Sequence, residues 1–152
     1  KRNAARARGR SVSCERSASR AKWAPETERP LALAAFRLKE FAEISAQDGV
    51  ETAELLLRQA ADTARLLVRA EDFAARLGAD TFLIAMPATL PEDGAIAVRR
   101  ICGMLAHTRF KRSLEDRGVT IALDHGIVQH RPDEAIERTV AGALAELASR
   151  AA

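Results

Sequence analysis

The chain has 152 residues, 47% of them hydrophobic, which suits one globular domain with a core of its own. Aromatic residues make up only 4%, so the core is expected to be aliphatic. The formal net charge is +3, but the basic residues concentrate in the first thirty positions, and the remainder is slightly acidic with both signs mixed. This distribution argues against a specific nucleic-acid-binding fold.

The polar first segment and the two cysteines bear on the domain organisation and on the expected cellular compartment. Residues 1–28 are predicted to be a basic, poorly ordered arm or linker, and residues 29–152 a folded domain. Cys14 lies in the arm and Cys102 on a predicted helix, and no Cys or His spacing suits a metal. No run of about eighteen apolar residues predicts a membrane span. We therefore expect a reduced, cytoplasmic protein.

The first half of the domain predicts a strand, two helices and a hairpin. Residues 31–36 form a short apolar run after a proline, which predicts a buried strand. Helices are predicted at 39–46 and 50–68, the second with apolar residues every three or four positions. Strands at 73–77 and 81–86 are expected to form a hairpin around Gly78 and Ala79. Pro87 ends the second strand because it cannot donate a ladder hydrogen bond.

The second half predicts a helix, a strand and a helix. The helix at 92–106 has an apolar stripe that leaves Arg100 pointing to solvent or to a partner. Residues 119–123 alternate and predict a strand, which 126–128 continue past an irregularity at Asp124 and His125. Pro132 opens the last helix. This order of elements predicts an α/β sandwich with a mixed sheet.

Three stretches of the chain resemble the GGDEF domain of the diguanylate cyclase family. They are Arg29-Pro-Leu-Ala-Leu, then Val68-Arg-Ala-Glu-Asp-Phe-Ala-Ala-Arg-Leu-Gly-Ala-Asp-Thr-Phe, then Met86-Pro. The resemblance runs from about Arg29 to Arg150. It implies a five-stranded mixed central sheet flanked by helices, related to nucleotide cyclase palms. The chemistry it implies joins two GTP molecules into cyclic di-GMP on Mg²⁺ held by carboxylates.

Positions that carry this chemistry in the family hold other residues here. The signature Gly-Gly-Asp/Glu-Glu-Phe is Gly78-Ala79-Asp80-Thr81-Phe82, so a metal carboxylate is replaced by Thr81. With the family's Asp-x-Asp-x-Phe aligned on Phe41, Arg37 and Lys39 stand at the two aspartates. Cations there would repel Mg²⁺, which needs several oxygen anions. We therefore expect an inactive homologue with no catalytic residues, no Mg²⁺ and no other cofactor.

The resemblance also implies a ligand site. Family members commonly carry an allosteric product site of the pattern Arg-x-x-Asp, five residues ahead of the signature, and Arg69-Ala-Glu-Asp72 fits. The family's second arginine comes from the helix after the hairpin, where Arg100 falls in register, with Arg99 as the alternative and Arg76 as extra charge nearby. Arginines can bind guanine O6 and N7 and screen phosphate, while a carboxylate accepts from guanine N1 and N2 hydrogens. The competing interpretation is an ordinary ion pair between Arg69 and Asp72, worth about 0–1 kcal/mol.

Three hypotheses follow from these residues. The main one is a non-catalytic cyclic di-GMP receptor that transmits binding through a second copy or another domain of a longer parent protein. The alternative is a ligand-independent dimerisation or protein-interaction module that kept only the fold. The third is GTP binding at the old active site without turnover. Two further residues receive minor roles, His125 as a solvated partner of Asp124 and Trp23 as an anchor for the arm.

Overall fold

The computed structural model describes residues 29–150, so the predicted arm at 1–28 lies outside the described residues. The elements, in chain order, are β1 (Leu31–Leu38), α1 (Phe41–Asp48), α2 (Val50–Leu67), β2 (Phe73–Arg76), β3 (Thr81–Pro87), α3 (Pro91–His107), β4 (Leu123–His130) and α4 (Ile136–Arg150). Each predicted helix has a counterpart, and so does each predicted strand except the segment at 119–123. The α/β fold class is confirmed, whereas the domain boundary near residue 29 stays a prediction.

The sheet differs from the prediction in strand number and direction. The described residues form one sheet of four strands rather than five, in the order β2-β3-β1-β4. All its pairs are antiparallel, so the sheet is not mixed. The predicted strand at 119–123 is reduced to an isolated bridge between Phe110 and Val119. Pairing with β1 begins at Leu123 and runs to His130 without the expected irregularity, since Asp124 and His125 both have partners on β1.

Helices cover both faces of the central strand. No residue from Ala32 to Phe36 is more than 1% exposed, which explains why β1 is apolar without alternation. α2 and α3 pack on one face, where the rings of Phe36 and Phe82 stack with centroids 5.0 Å apart. α4 packs on the other face through Ala143 and Leu147. This arrangement places the end of α2 beside α3, and the end of β1 beside the tip of the β2–β3 hairpin.

Gly126 allows α4 to approach β4 closely. An ideal Cβ at this position would lie 2.7 Å from the Leu147 nitrogen and 2.9 Å from the Ala143 carbonyl oxygen. Backbone atoms cannot swing aside, so we expect Gly126→Ala to lower the free energy of unfolding by about 1–3 kcal/mol. Gly103 on α3 is the matched control, because its ideal Cβ meets nothing within 4 Å. Gly103→Ala should raise stability by about 1 kcal/mol in urea denaturation. Similar effects of the two substitutions would contradict this packing.

Candidate functional site

The turn between α2 and β2 brings Arg69 and Asp72 together. The backbone N–H of Arg69 donates to Asp72 Oδ2 at 2.8 Å. The N–H of Asp72 in turn donates to the Arg69 carbonyl at 3.1 Å. Aspartate suits such a turn because its short side chain reaches nearby backbone N–H groups. The predicted pair is therefore joined, but through the backbone of Arg69.

The side chains of Arg69 and Asp72 differ in their burial and in their partners. Arg69 is exposed, and within residues 29–150 no carboxylate forms an ion pair with its guanidinium. The ion pair of the competing interpretation is thus not formed. Asp72 Oδ1 is buried without a hydrogen-bond partner among the same residues. An unpaired buried acceptor costs about 1–3 kcal/mol, so the turn holds both an uncommitted cation and an unused acceptor.

α3 brings Arg100 to the same turn. Its Nη2 donates at 2.8 Å to the carbonyl of Leu67, the last residue of α2 and two positions before Arg69. The guanidinium satisfies a helix-end carbonyl and lies at the negative end of the helix dipole. Arg100 is exposed, as the helix pattern predicted, and the contact leaves most of its five N–H donors unused. Arg99, the alternative, is exposed one position earlier.

Arg76 has a structural role that sequence reasoning missed. Its Nε donates to the Gly78 carbonyl at 2.7 Å, and its Nη2 donates to the Ala79 carbonyl at 2.8 Å. The same Nη2 lies 3.2 Å from Glu54 Oε1 on α2. Arg76 thus ties the hairpin tip to α2 instead of adding charge at the Arg69 turn. The sequence signal for this role was the position of Arg76, two residues before Gly78 of the hairpin turn.

The end of β1 carries an ionic cluster. Arg37 lies opposite Thr81 on β3, so two of the positions that the family resemblance singled out are cross-strand neighbours. Asp124 on β4, only 11% exposed, takes both cations: its Oδ2 lies 3.8 Å from Arg37 Nη2 and its Oδ1 lies 3.2 Å from Lys39 Nζ. Thr81 Oγ1 donates to Asp80 Oδ1 at 2.9 Å. Arg37 and Lys39 are therefore both salt-bridged to Asp124.

His125 connects α3 to α4. Its Nδ1 lies 3.5 Å from Cys102 Sγ, and its Nε2 lies 3.3 Å from Arg150 Nη1. Because arginine only donates, Nε2 accepts, and the proton of the neutral ring is on Nδ1. The expected solvated pair with Asp124 is wrong, since Asp124 holds Arg37 and Lys39 instead. Burial raises the pKa of the Cys102 thiol to about 11, so the thiol is protonated at neutral pH.

The position of His125 predicts a pH dependence of stability. Burial, and then the charge of Arg150, lower the pKa of His125 from 6.5, while Asp124 opposes this shift. The unfolded state therefore takes up the proton first as the pH falls. The stabilising contribution of the neutral His125 ring is therefore complete above about pH 6.5 and is lost as the pH falls below that value. We expect His125→Gln to lose less stability than the unsubstituted chain between about pH 7.5 and 5.5 in urea denaturation.

The exposed His107 at the end of α3 supplies the control. His107→Gln removes a histidine from the same region without removing the contacts to Cys102 and Arg150. It should keep the pH dependence of the unsubstituted chain. Equal pH dependence in His125→Gln would contradict the assignment to His125.

Between residues 29 and 150 there is no group of three or more His, Cys, Asp or Glu side chains placed to hold a metal ion. None of the helices described there has the length and apolar character needed to cross a membrane.

The chain belongs to the GGDEF family, because the family model described as diguanylate cyclase, GGDEF domain, matches residues 10–150. The solved GGDEF domain of DgcB from Caulobacter crescentus, in complex with c-di-GMP, is 21% identical with a TM-score of 0.71 and covers 79% of this chain and 71% of that one. A sensory box/GGDEF family protein from Caulobacter crescentus is 27% identical with a TM-score of 0.69, covering 79% and 77%. An EAL/GGDEF domain protein from M. capsulatus is 26% identical with a TM-score of 0.72, covering 82% and 79%. No curated protein matches this chain.

Proposed function

We propose that this GGDEF domain is a non-catalytic, cytoplasmic receptor for cyclic di-GMP, which binds at Arg69, Asp72 and Arg100. The observation that carries the proposal is the bond from Arg100 to the Leu67 carbonyl. It holds a second arginine, 31 positions away in the chain, beside the turn that contains Arg69. Arg99 remains the alternative second arginine.

The chemistry of the turn suits this ligand. Cyclic di-GMP carries two phosphate charges and two guanines. The guanidinium of Arg69 has no ion pair to break within the described residues, so binding need not displace a carboxylate first. Arg100 can keep its bond to Leu67 and still offer donors to a phosphate or to guanine O6 and N7. Both cations therefore start with donors available to the ligand.

Ligand binding requires a larger side-chain rearrangement of Asp72 than of the two arginines. Its Oδ2 is used by the Arg69 N–H, and its Oδ1 is buried. A guanine edge can donate to this carboxylate only after the side chain has turned outward. The buried Oδ1 gains a donor in that movement, which offsets the loss of the turn bond. We therefore propose that binding opens the Arg69–Asp72 turn.

The ionic cluster at the end of β1 supports the absence of catalysis. A Mg²⁺ ion there would meet Arg37 and Lys39, where the family resemblance expects aspartates. At 4 Å and an effective dielectric of about 20, each pair of unit charges interacts by about 4 kcal/mol. Asp124 already neutralises the two cations in part, so it is not available as a metal carboxylate. Catalytic residues, Mg²⁺ and other cofactors are accordingly absent from the proposal.

The relatives support the choice of ligand. The DgcB domain was solved in complex with c-di-GMP, and we extend that ligand to this chain. Transmission would pass through a second copy or another domain of a longer protein.

Titration of ¹⁵N-labelled protein with cyclic di-GMP tests the location of the site. The amide signals of Arg69, Asp72 and Arg100 should shift together and saturate. Shifts confined to the end of β1 would place the dinucleotide elsewhere and contradict the proposal.

A further inference from the structure

α1 and the first half of α2 form a surface of one charge sign. Residues 40–57 contain no Lys or Arg, and they contain five acidic residues, Glu40, Glu43, Asp48, Glu51 and Glu54. All are exposed except Glu54, which is partly buried. α1 has no fully buried residue: Phe41 and Ile44 are partly buried against the core, and the acidic face of the helix is exposed among residues 29–150. We call these five residues and the helix turns that carry them the acidic surface.

The described part of the domain neutralises this surface only in part. Arg112 lies 3.3 Å from Asp48, and Arg76 lies 3.2 Å from Glu54. Glu40, Glu43 and Glu51 have no ion pair within residues 29–150. Three acidic side chains therefore present uncompensated charge.

One end of the acidic surface adjoins a shallow depression that is open to solvent. Its volume is about 430 Å³, and it is lined by Asp48, Thr52, Arg112, Ser113, Glu115 and Asp116. Hydrogen bonds from Arg112 lower the pKa of Asp116 to about 2, so this carboxylate is charged throughout the physiological range. Arg112 pairs with both Asp48 and Asp116, so Glu115 is the carboxylate of this lining that has no ion pair within residues 29–150.

The chain itself contains a segment of complementary charge. Residues 1–28 contain eight Lys or Arg and three Glu, a net charge of +5, against the five acidic residues of the surface. The described structure begins at residue 29, ahead of β1. β1 has eight residues and spans about 26 Å, and the acidic surface begins just after its far end. Twenty-eight extended residues reach about 90 Å, so the segment is long enough several times over.

We propose that the basic arm, residues 1–28, binds the acidic surface of its own domain. Covalent attachment gives the arm an effective concentration on the order of millimolar, which a free basic peptide or protein would have to exceed. The same negative surface repels nucleic acid from this side of the domain. Because the attraction joins exposed charges, it is screened by salt. The arm is then an intramolecular ligand that another basic partner can displace.

Two residues of the arm make the proposal directly measurable. Trp23 is the single tryptophan of the chain, so its fluorescence anisotropy reports the arm alone. Cys14 becomes the single thiol in a Cys102→Ser background and can carry a nitroxide spin label. In ¹⁵N spectra of the full chain at low salt, the label should broaden the amide signals of α1 and the start of α2. About 1 M NaCl should remove this broadening and lower the Trp23 anisotropy.

Charge reversal separates this surface from general electrostatics. Glu40→Lys, Glu43→Lys and Glu51→Lys together should abolish both the broadening and the high anisotropy at low salt. The matched control reverses three exposed acids elsewhere, Glu92→Lys, Asp133→Lys and Glu137→Lys, and should leave both signals unchanged. Broadening centred on α4, or equal effects of the two triple variants, would overturn the proposal. Absence of any salt-dependent broadening would overturn the proposal as well. This holds even if the arm is found to bind added nucleic acid.

Discussion

Arg69→Ala is expected to weaken the binding of cyclic di-GMP by about 5- to 150-fold, the equivalent of about 1–3 kcal/mol for one bidentate guanine contact. The guanidinium is exposed and unpaired within the described residues, so its removal should leave the fold unchanged. Isothermal titration calorimetry of the variant measures the loss. Arg138→Ala on α4, which packs on the opposite face of the sheet, removes the same charge from another exposed site and should bind as the unsubstituted chain does.

The second arginine can be identified by the same titration. Arg100→Ala should reproduce the loss, because Arg100 is the residue bonded to the end of α2. Arg99→Ala should have a smaller effect. If Arg99→Ala gave the larger loss, Arg99 rather than Arg100 would be the α3 residue that contacts the ligand. The role proposed for the bond between Arg100 and the Leu67 carbonyl would then be contradicted. Unchanged affinity in both variants and in Arg69→Ala would remove the site altogether.

No cyclic di-GMP is expected from GTP when the protein is incubated with Mg²⁺ or Mn²⁺. The reason is the charge at the end of β1, where Arg37 and Lys39 share the single carboxylate of Asp124. Mn²⁺ binding, followed by electron paramagnetic resonance, should likewise be undetectable. Steady production of cyclic di-GMP by the unsubstituted chain would contradict the non-catalytic proposal.

Reversing this charge should create a metal site. Arg37→Asp and Lys39→Asp free Asp124, and Thr81→Glu places a further carboxylate opposite position 37. Several clustered oxygen anions are what Mg²⁺ and Mn²⁺ require, so the triple variant should bind Mn²⁺ measurably. The matched control makes equivalent charge changes away from this edge, with Lys111→Asp, Arg138→Asp and Ser149→Glu. It should bind no more Mn²⁺ than the unsubstituted chain does, and equal binding by both variants would indicate non-specific attraction.

The sequence predicts local features of the fold well where one interaction dominates. β3 follows the turn at Gly78 and ends at Pro87, as the sequence predicted. The apolar periodicity of α2 and α3 likewise predicted which faces of these helices are buried. The weak prediction was the segment at 119–123. It alternates as a strand should, yet only Val119 forms a bridge, because the partner available on β1 is already aligned with Leu123 onwards. Register across a sheet depends on such distant pairing, which a local pattern does not contain.

The candidate site shows the same limit. The spacing of Arg69 and Asp72 could be found from the sequence, but not that Asp72 turns inward to the Arg69 N–H. Arg76 and His125 were misjudged because their partners, Glu54, Cys102 and Arg150, are distant in the chain. Charged and aromatic ring nitrogens take whichever partners the fold brings near. Residue type and spacing therefore predicted neighbours only where they are close in sequence, whereas the expectation that Arg100 joins the Arg69 turn came from the family resemblance.

Calorimetric titration of the unsubstituted full chain tests most directly whether this domain binds cyclic di-GMP. We expect a saturable heat of binding in the micromolar range. An absence of heat at concentrations up to tens of micromolar would contradict it and would favour the ligand-independent interaction module.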